Sequence, residues 1–118
     1  MTVSIDEFGH PKVGLVISGN RGKIDLGVII DTGFDGEICL PVHLAVYLGL
    51  DLCDIVEVEL ADGSLKSEMV FRGNIQWFGE EKSVTIFLTN SQEGLIGTAL
   101  LKERIVNLDF KGRILNIE

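Results

Sequence analysis

The residues of this chain best suited to chemistry are Asp31, Thr32 and Gly33. They follow the apolar run Val28-Ile29-Ile30 without a break and lead into Phe34-Asp35-Gly36. An ionisable carboxyl directly after an apolar strand is costly unless something compensates it. A position that tolerates this cost is a candidate for a perturbed pKa, and so for function. Thr32 adds a hydroxyl beside the carboxyl, and Gly33 lets the backbone turn sharply. A carboxylate held in this way can serve as a general acid or base. The tripeptide alone also fits an ordinary strand-ending turn, so its surroundings must decide.

Other constellations fail on spacing. Asp31 and Asp35 ahead of Gly36 match a calcium loop only in part, because position 33 is Gly and the twelfth position is Val42 rather than Glu. His10 and His43 lack metal-ligand spacing. There is no Gly-x-Ser-x-Gly and no phosphate loop. Cys39, between Ile38 and Leu40, reads as core rather than nucleophile, and Cys53 as a second free, buried thiol. Trp77-Phe78 reads as a core pair. No metal and no cofactor are expected.

The elements that must position Asp31 are short strands, since Gly is frequent (14), Pro is rare (2) and turn signals recur. Val13–Ile17 predicts a strand, then a turn at Ser18–Gly22. The next strand, Lys23–Ile30, alternates at first and then turns continuously apolar, the mark of burial on both faces. Glu37–Leu40 is a further apolar segment. A helix is predicted from about Val42 to Leu48, with Leu44, Tyr47 and Leu48 at i, i+3, i+4 and Gly49 as its stop. Val56–Phe71 predicts a hairpin around Asp62-Gly63 with a type I′ turn. That register sets Leu60 opposite Leu65, Val58 opposite Ser67, Glu59 opposite Lys66 and Glu57 opposite Glu68. Asn74–Phe78 and Ser83–Leu88 are strands separated by Gly79–Lys82. Thr98 is the predicted N-cap of a helix over Ala99–Arg104. Ile105–Phe110 and Arg113–Ile117 form a closing hairpin around Lys111-Gly112.

With 118 residues, 46% of them hydrophobic, the chain suits one domain spanning 1–118. Acidic residues outnumber basic ones 18 to 10, for a net charge of −8. That excess disfavours nucleic acid and anionic membrane surfaces, which call for Lys and Arg. The N-terminal stretch carries Asp6, Glu7, His10 and Pro11 with no apolar core, so no signal peptide is expected. The longest uncharged run, Ile38–Leu50, is interrupted by Pro41 and His43 and falls short of the roughly 20 residues of a membrane span. A cytoplasmic location follows as the expectation.

Ile29-Ile30-Asp31-Thr32-Gly33 resembles the hydrophobic-hydrophobic-Asp-Thr/Ser-Gly motif of aspartic peptidases. Leu95-Ile96-Gly97, ahead of Leu100-Leu101, resembles their second signature, and the Asp62-Gly63 hairpin lies where that family has its substrate-covering flap. Order and size resemble the retropepsin-like (retroviral-type) subunit, in particular the small prokaryotic members. The resemblance implies an all-β, closed, barrel-like fold with one or two short helices, working as a homodimer on polypeptide substrates. It further implies an aspartic endopeptidase in which Asp31 from each copy holds the attacking water, Thr32 bonds across the two-fold axis and Gly33 meets substrate backbone. Phe34 would line the cleft, Asp35 and Gly36 would contact substrate, and Leu60, Ala61, Asp62, Gly63 and Ser64 would form the flap tip. Two positions depart from the common pattern: Phe34 stands where many members carry a small Ala or Ser, and Thr98 where many viral members carry Arg. A bulky Phe34 also admits the alternative of a non-catalytic dimeric peptide-binding module on the same fold.

One Asp-Thr-Gly per chain predicts an incomplete site in a monomer. Sedimentation should show a dimer, and activity should rise faster than linearly with concentration near the dissociation constant. A fully active monomer would contradict this.

Overall fold

Val13, Leu15 and Ile17 alternate along the second strand and all three point inward, essentially inaccessible to solvent. This period of two is what a strand with one face on the core requires. The computed structural model, which describes residues 1–118, builds ten strands and two short helices from such segments. In chain order they are β1 (Thr2–Ile5), β2 (Pro11–Ser18), β3 (Lys23–Ile30), β4 (Ile38–Pro41), α1 (Val42–Leu48), β5 (Asp51–Glu59), β6 (Leu65–Trp77), β7 (Glu80–Thr89), β8 (Gly94–Ile96), α2 (Thr98–Leu101), β9 (Val106–Asp109) and β10 (Ile114–Ile117).

The main sheet runs β1-β2-β3-β8-β4-β7-β6-β5, and β2 also pairs with β6 through Ile17–Ile75 and Ser18–Asn74. That pairing closes β2-β3-β8-β4-β7-β6 into a six-stranded barrel, leaving β1 and β5 outside the ring. Closure removes sheet edges and encloses a single apolar interior. Val28, Ile38, Leu40, Val84, Ile86 and Ile96 fill it from the central strands, with Leu48, Leu100 and Leu101 plugging in from the helices. The β3–β8 and β4–β7 pairs are parallel, the others antiparallel. β9 and β10 form a separate ribbon that packs Leu115 and Ile117 onto the same core. No helix is long and apolar enough to cross a membrane.

The all-β barrel with two short helices is as expected, and α1 spans Val42–Leu48 and stops at left-handed Gly49. Several details differ. β1 was not anticipated; the Asp6 carboxylate fastens its turn, accepting from the amides of Phe8 and His10. Those hydrogen bonds, that of His10 foremost, hold its carboxyl below the usual range. Cys53 lies exposed at an irregularity where β5 shifts register, so only Cys39 is buried. α2 covers Thr98–Leu101 with Gly97 as its cap, because the Thr98 hydroxyl is engaged elsewhere.

The largest difference is the β5–β6 hairpin. Glu59 faces Leu65, Val58 faces Lys66, and Val56 faces Glu68, one residue away from the expected register. Gly63 N–H donates to Leu60 C=O and Leu60 N–H to Ser64 C=O, so the loop is Ala61-Asp62-Gly63. Only Gly63, at φ +83, is left-handed there, which makes a type I turn with a glycine bulge rather than type I′. The Asp62 carboxylate decides this by accepting from both the amide and hydroxyl of Ser64, which also lowers its pKa. The two-residue turn with both φ positive is instead Phe78-Gly79, joining Trp77 to Glu80. Phe78 tolerates φ +50 with its ring edge-to-face on Trp77 and the Arg104 guanidinium 3.6 Å from its centroid.

Gly63→Val forces a β-branched residue into the left-handed region at a cost of about 1–2 kcal/mol or more. The loss should stay at the tip. Amide exchange at Gly63 and Ser64 should quicken, while the barrel amides of Val28 and Ile86 keep their protection.

Candidate active site

β3 carries Asp31 to the end of the barrel. Asp31 N–H donates to Ile96 C=O at 3.0 Å, continuing the β3–β8 ladder by one residue. The chain then reverses. Phe34 N–H donates to Asp31 C=O at 3.1 Å, and Gly33 N–H donates to Asp31 Oδ1 at 2.8 Å. One carboxylate oxygen is thereby fixed by the residue two positions on, and the other accepts no hydrogen bond within the chain. Asp31 is half-buried, with Thr32 and Gly33 exposed beside it.

The second apolar signature braces this loop. Gly97 N–H donates to Glu37 C=O at 2.9 Å, Thr98 N–H to Phe34 C=O at 2.9 Å and Ala99 N–H to Gly36 C=O at 3.2 Å. The Thr98 hydroxyl also approaches Phe34 C=O, at 3.4 Å. The brace is therefore backbone hydrogen bonding and one neutral side chain, in place of a guanidinium. It requires Gly97, since a Cβ there would collide with the Gly36 carbonyl and lie 2.6 Å from both the Phe34 carbonyl and ring. From the other side, Glu37 Oε1 accepts from the amide and hydroxyl of Thr85 on β7.

Asp31 through Gly36 thus stand together on one loop. Phe34 lies half-buried with its ring edge-to-face on Phe87, centroids 6.0 Å apart. It lines a cavity of about 190 Å³ with Asp35, Val58, Glu68, Phe87 and Leu88. Because Val58 and Glu68 belong to the β5–β6 hairpin, that hairpin overhangs the loop. Its tip, Leu60–Ser64, is exposed and contributes nothing to this cavity. Burial pushes the Cys39 thiol up to about 11, with the negative charges of Glu68 and Asp31 adding to the effect. Both carboxylates therefore act on the same buried position.

Glu68 and Phe87 were not among the residues singled out from sequence. In the expected register Glu68 sat on the opposite face from Val58, and a one-residue slip exchanges the faces of a strand. The Asp-Gly pair with Leu60 before it was the available signal for the longer loop. Phe87, in the apolar run Ile86-Phe87-Leu88, carried no signal that separates cleft from core.

No protein-family model matches the sequence, and no curated protein does either. Solved structures do match. A retropepsin-like aspartic protease from Rickettsia conorii is 21% identical, with a TM-score of 0.60 over 98% of this chain and 86% of that one. The fold is retropepsin-like. The EIAV protease complexed with the inhibitor HBY-793 gives a TM-score of 0.57 at 15% identity, covering 80% of this chain and 86% of that one. The retroviral protease-like domain of Ddi1 from Leishmania major gives 0.51 at 14% identity, over 91% and 88%. At these identities the likeness is one of fold, and the retropepsin-like barrel is what this chain shares with them.

Gly97→Ala should push the Asp31 loop out of place, because the clash is with backbone that cannot rotate away. A loss of about 1–3 kcal/mol in chemical denaturation is expected. Amide chemical shifts should move along Asp31–Glu37.

Proposed function

We propose that two copies of this chain, each with residues 1–118 as one domain, form an aspartic endopeptidase whose Asp31 carboxylates meet on a two-fold axis. One observation carries this reading: Asp31 follows a barrel strand with one oxygen held by Gly33 N–H and the other unengaged, on the loop whose Phe34 and Asp35 line a cavity together with the β5–β6 hairpin. The likeness in fold to the Rickettsia conorii and EIAV proteases supports hydrolysis of peptides. The single Asp-Thr-Gly per chain supports a dimer.

Two carboxylates about 3 Å apart cannot both ionise, so the pair shares one proton. Water lies between them. The ionised member takes a proton from the water as its oxygen attacks the peptide carbonyl carbon. The protonated member gives its proton to the carbonyl oxygen. The carboxyl that took the water's proton gives it to the amide nitrogen, the C–N bond breaks, and a hydroxyl of the intermediate returns its proton to the other carboxylate, so the pair again holds one proton. No covalent enzyme intermediate forms. Thr32, exposed in a single chain, would reach across the axis and stiffen the two loops. Gly33, Asp35 and Gly36 would hold extended substrate backbone by strand-type hydrogen bonds, with the Leu60–Ser64 tip closing over it and excluding water.

Asp31→Asn keeps the shape and removes the base, so turnover of an unfolded polypeptide should fall by at least 10²–10⁴-fold while melting stays close to wild type. The wild-type pH–rate profile should be bell-shaped, because raising pH removes the shared proton and lowering pH neutralises the base; both limbs belong to the pair. Hydrolysis that survives the Asn change would refute the mechanism. Tight binding of a statine-type peptide by a wild-type protein that cleaves nothing would favour the binding-module alternative.

A further inference from the structure

The cavity beside Asp31 has a composition that selects a particular side chain. At about 190 Å³ it lies below the roughly 300–1,000 Å³ of pockets that hold whole ligands, and suits one side chain. Its walls are apolar: the Phe34 and Phe87 rings at right angles, with Val58 and Leu88. Its two polar members are both carboxylates, Asp35 and Glu68, and no cation lines it. Asp35 makes no ion pair with any residue of the chain. Glu68 has one partner, the Lys66 ammonium at 3.3 Å, whose side chain is 60% exposed against 29% for Glu68. An exposed pair of that kind contributes little, about 0–1 kcal/mol.

A neutral apolar side chain entering this space would strip water from two carboxylates and return nothing. A cation on an aliphatic stem returns both terms: its methylenes cover the rings and its head meets the carboxylates, with the aromatic faces adding a cation–π attraction. The net charge of −8 draws cationic segments towards the molecule as well. We infer that this cavity is a specificity pocket for an arginine or lysine side chain of an extended polypeptide, with Glu68 as its principal anion. Lys66 is its internal competitor, holding Glu68 until the substrate cation displaces it. The inference rests on the endopeptidase reading for the word substrate, and the pocket itself can be tested without turnover.

Cleavage of a peptide library randomised around the scissile bond should show one position enriched in Arg and Lys. Glu68→Gln should cut the kcat/KM ratio of Arg over norleucine at that position by roughly tenfold or more. Lys66→Ala, at an exposed site of little consequence for folding, should raise the same ratio about two- to fivefold. Opposite signs from two neighbours on one strand are not what loss of folding produces. In parallel, calorimetry with the Asp31→Asn protein should show a statine-type peptide carrying Arg at that position binding more tightly than its norleucine twin, a difference that Glu68→Gln abolishes. Arg-selective binding without cleavage by wild type would support the pocket and overturn the catalytic reading. Cleavage with an apolar or flat preference at every position would overturn the pocket and leave catalysis standing. Absence of both cleavage and Arg-selective binding would overturn the inference.

Discussion

The crossing of two loops at Gly97 is the constraint on which the site depends. β3 and β8 run parallel and end together, so the segments leaving them compete for one space. They share it only because position 97 has no side chain, which lets its backbone lie against the Phe34 and Gly36 carbonyls. Three backbone hydrogen bonds from Gly97, Thr98 and Ala99 then fix the loop that carries Asp31. The Asp31 amide is tied into the same strand pair. The carboxylate is thus positioned by backbone at each step, and its location follows from the barrel rather than from side chains that could relax.

The β5–β6 hairpin is built by a different rule. Its outer face, with Ile55, Glu57, Glu59, Leu65, Ser67 and Met69, is exposed throughout, while Val56, Val58 and Glu68 on the inner face are half-buried. β5 lies outside the barrel ring, and the Leu65–Val70 half of β6 pairs only with it, so the outer part of the hairpin has few buried contacts and can open at low free energy. The hairpin and the Asp31 loop thus differ in how firmly they are held: the tip is exposed, while Asp31 is tied by backbone into the barrel.

Most of the barrel was legible in the sequence because period-two alternation and apolar runs report burial directly. Val13, Leu15 and Ile17 announced their strand, Val28-Ile29-Ile30 announced a central one, and Gly49 ended its helix. Asp31 stood out against the same pattern, as an ionisable residue directly after an apolar run, with Thr32 and Gly33 marking the turn that follows it. What stayed hidden depended on turn chemistry. Asp62-Gly63 fits two hairpin geometries, and the hydrogen bonds from Ser64 to Asp62 choose between them only once the chain is folded. The one-residue difference moved Glu68 to the inner face. Phe78, an aromatic residue at positive φ, gave no sequence sign that it and Gly79, and not Gly79–Lys82, make the next turn; its position depends on the adjacent Trp77 and on Arg104, distant in sequence.

The two departures from the common aspartic-peptidase pattern, Phe34 and Thr98, are physically linked. An Arg at position 98 would place a cation against this loop and would be the natural partner for a nearby carboxylate. Thr98 is neutral, and its amide and hydroxyl both turn to the Phe34 carbonyl. The brace is kept without a charge, so Asp35 has no cation within the chain to pair with. At the same residue the Phe34 ring fills space that a small side chain would leave open, and with Phe87 it makes an aromatic wall beside that unpaired carboxylate. A neutral Thr98 and the Phe34 ring together leave an apolar slot lined by the Asp35 and Glu68 carboxylates, with Glu68 paired only to the exposed Lys66. The ring supplies the apolar wall, and the neutral Thr98 leaves Asp35 without an ion pair, so the two features together set the character of this end of the loop.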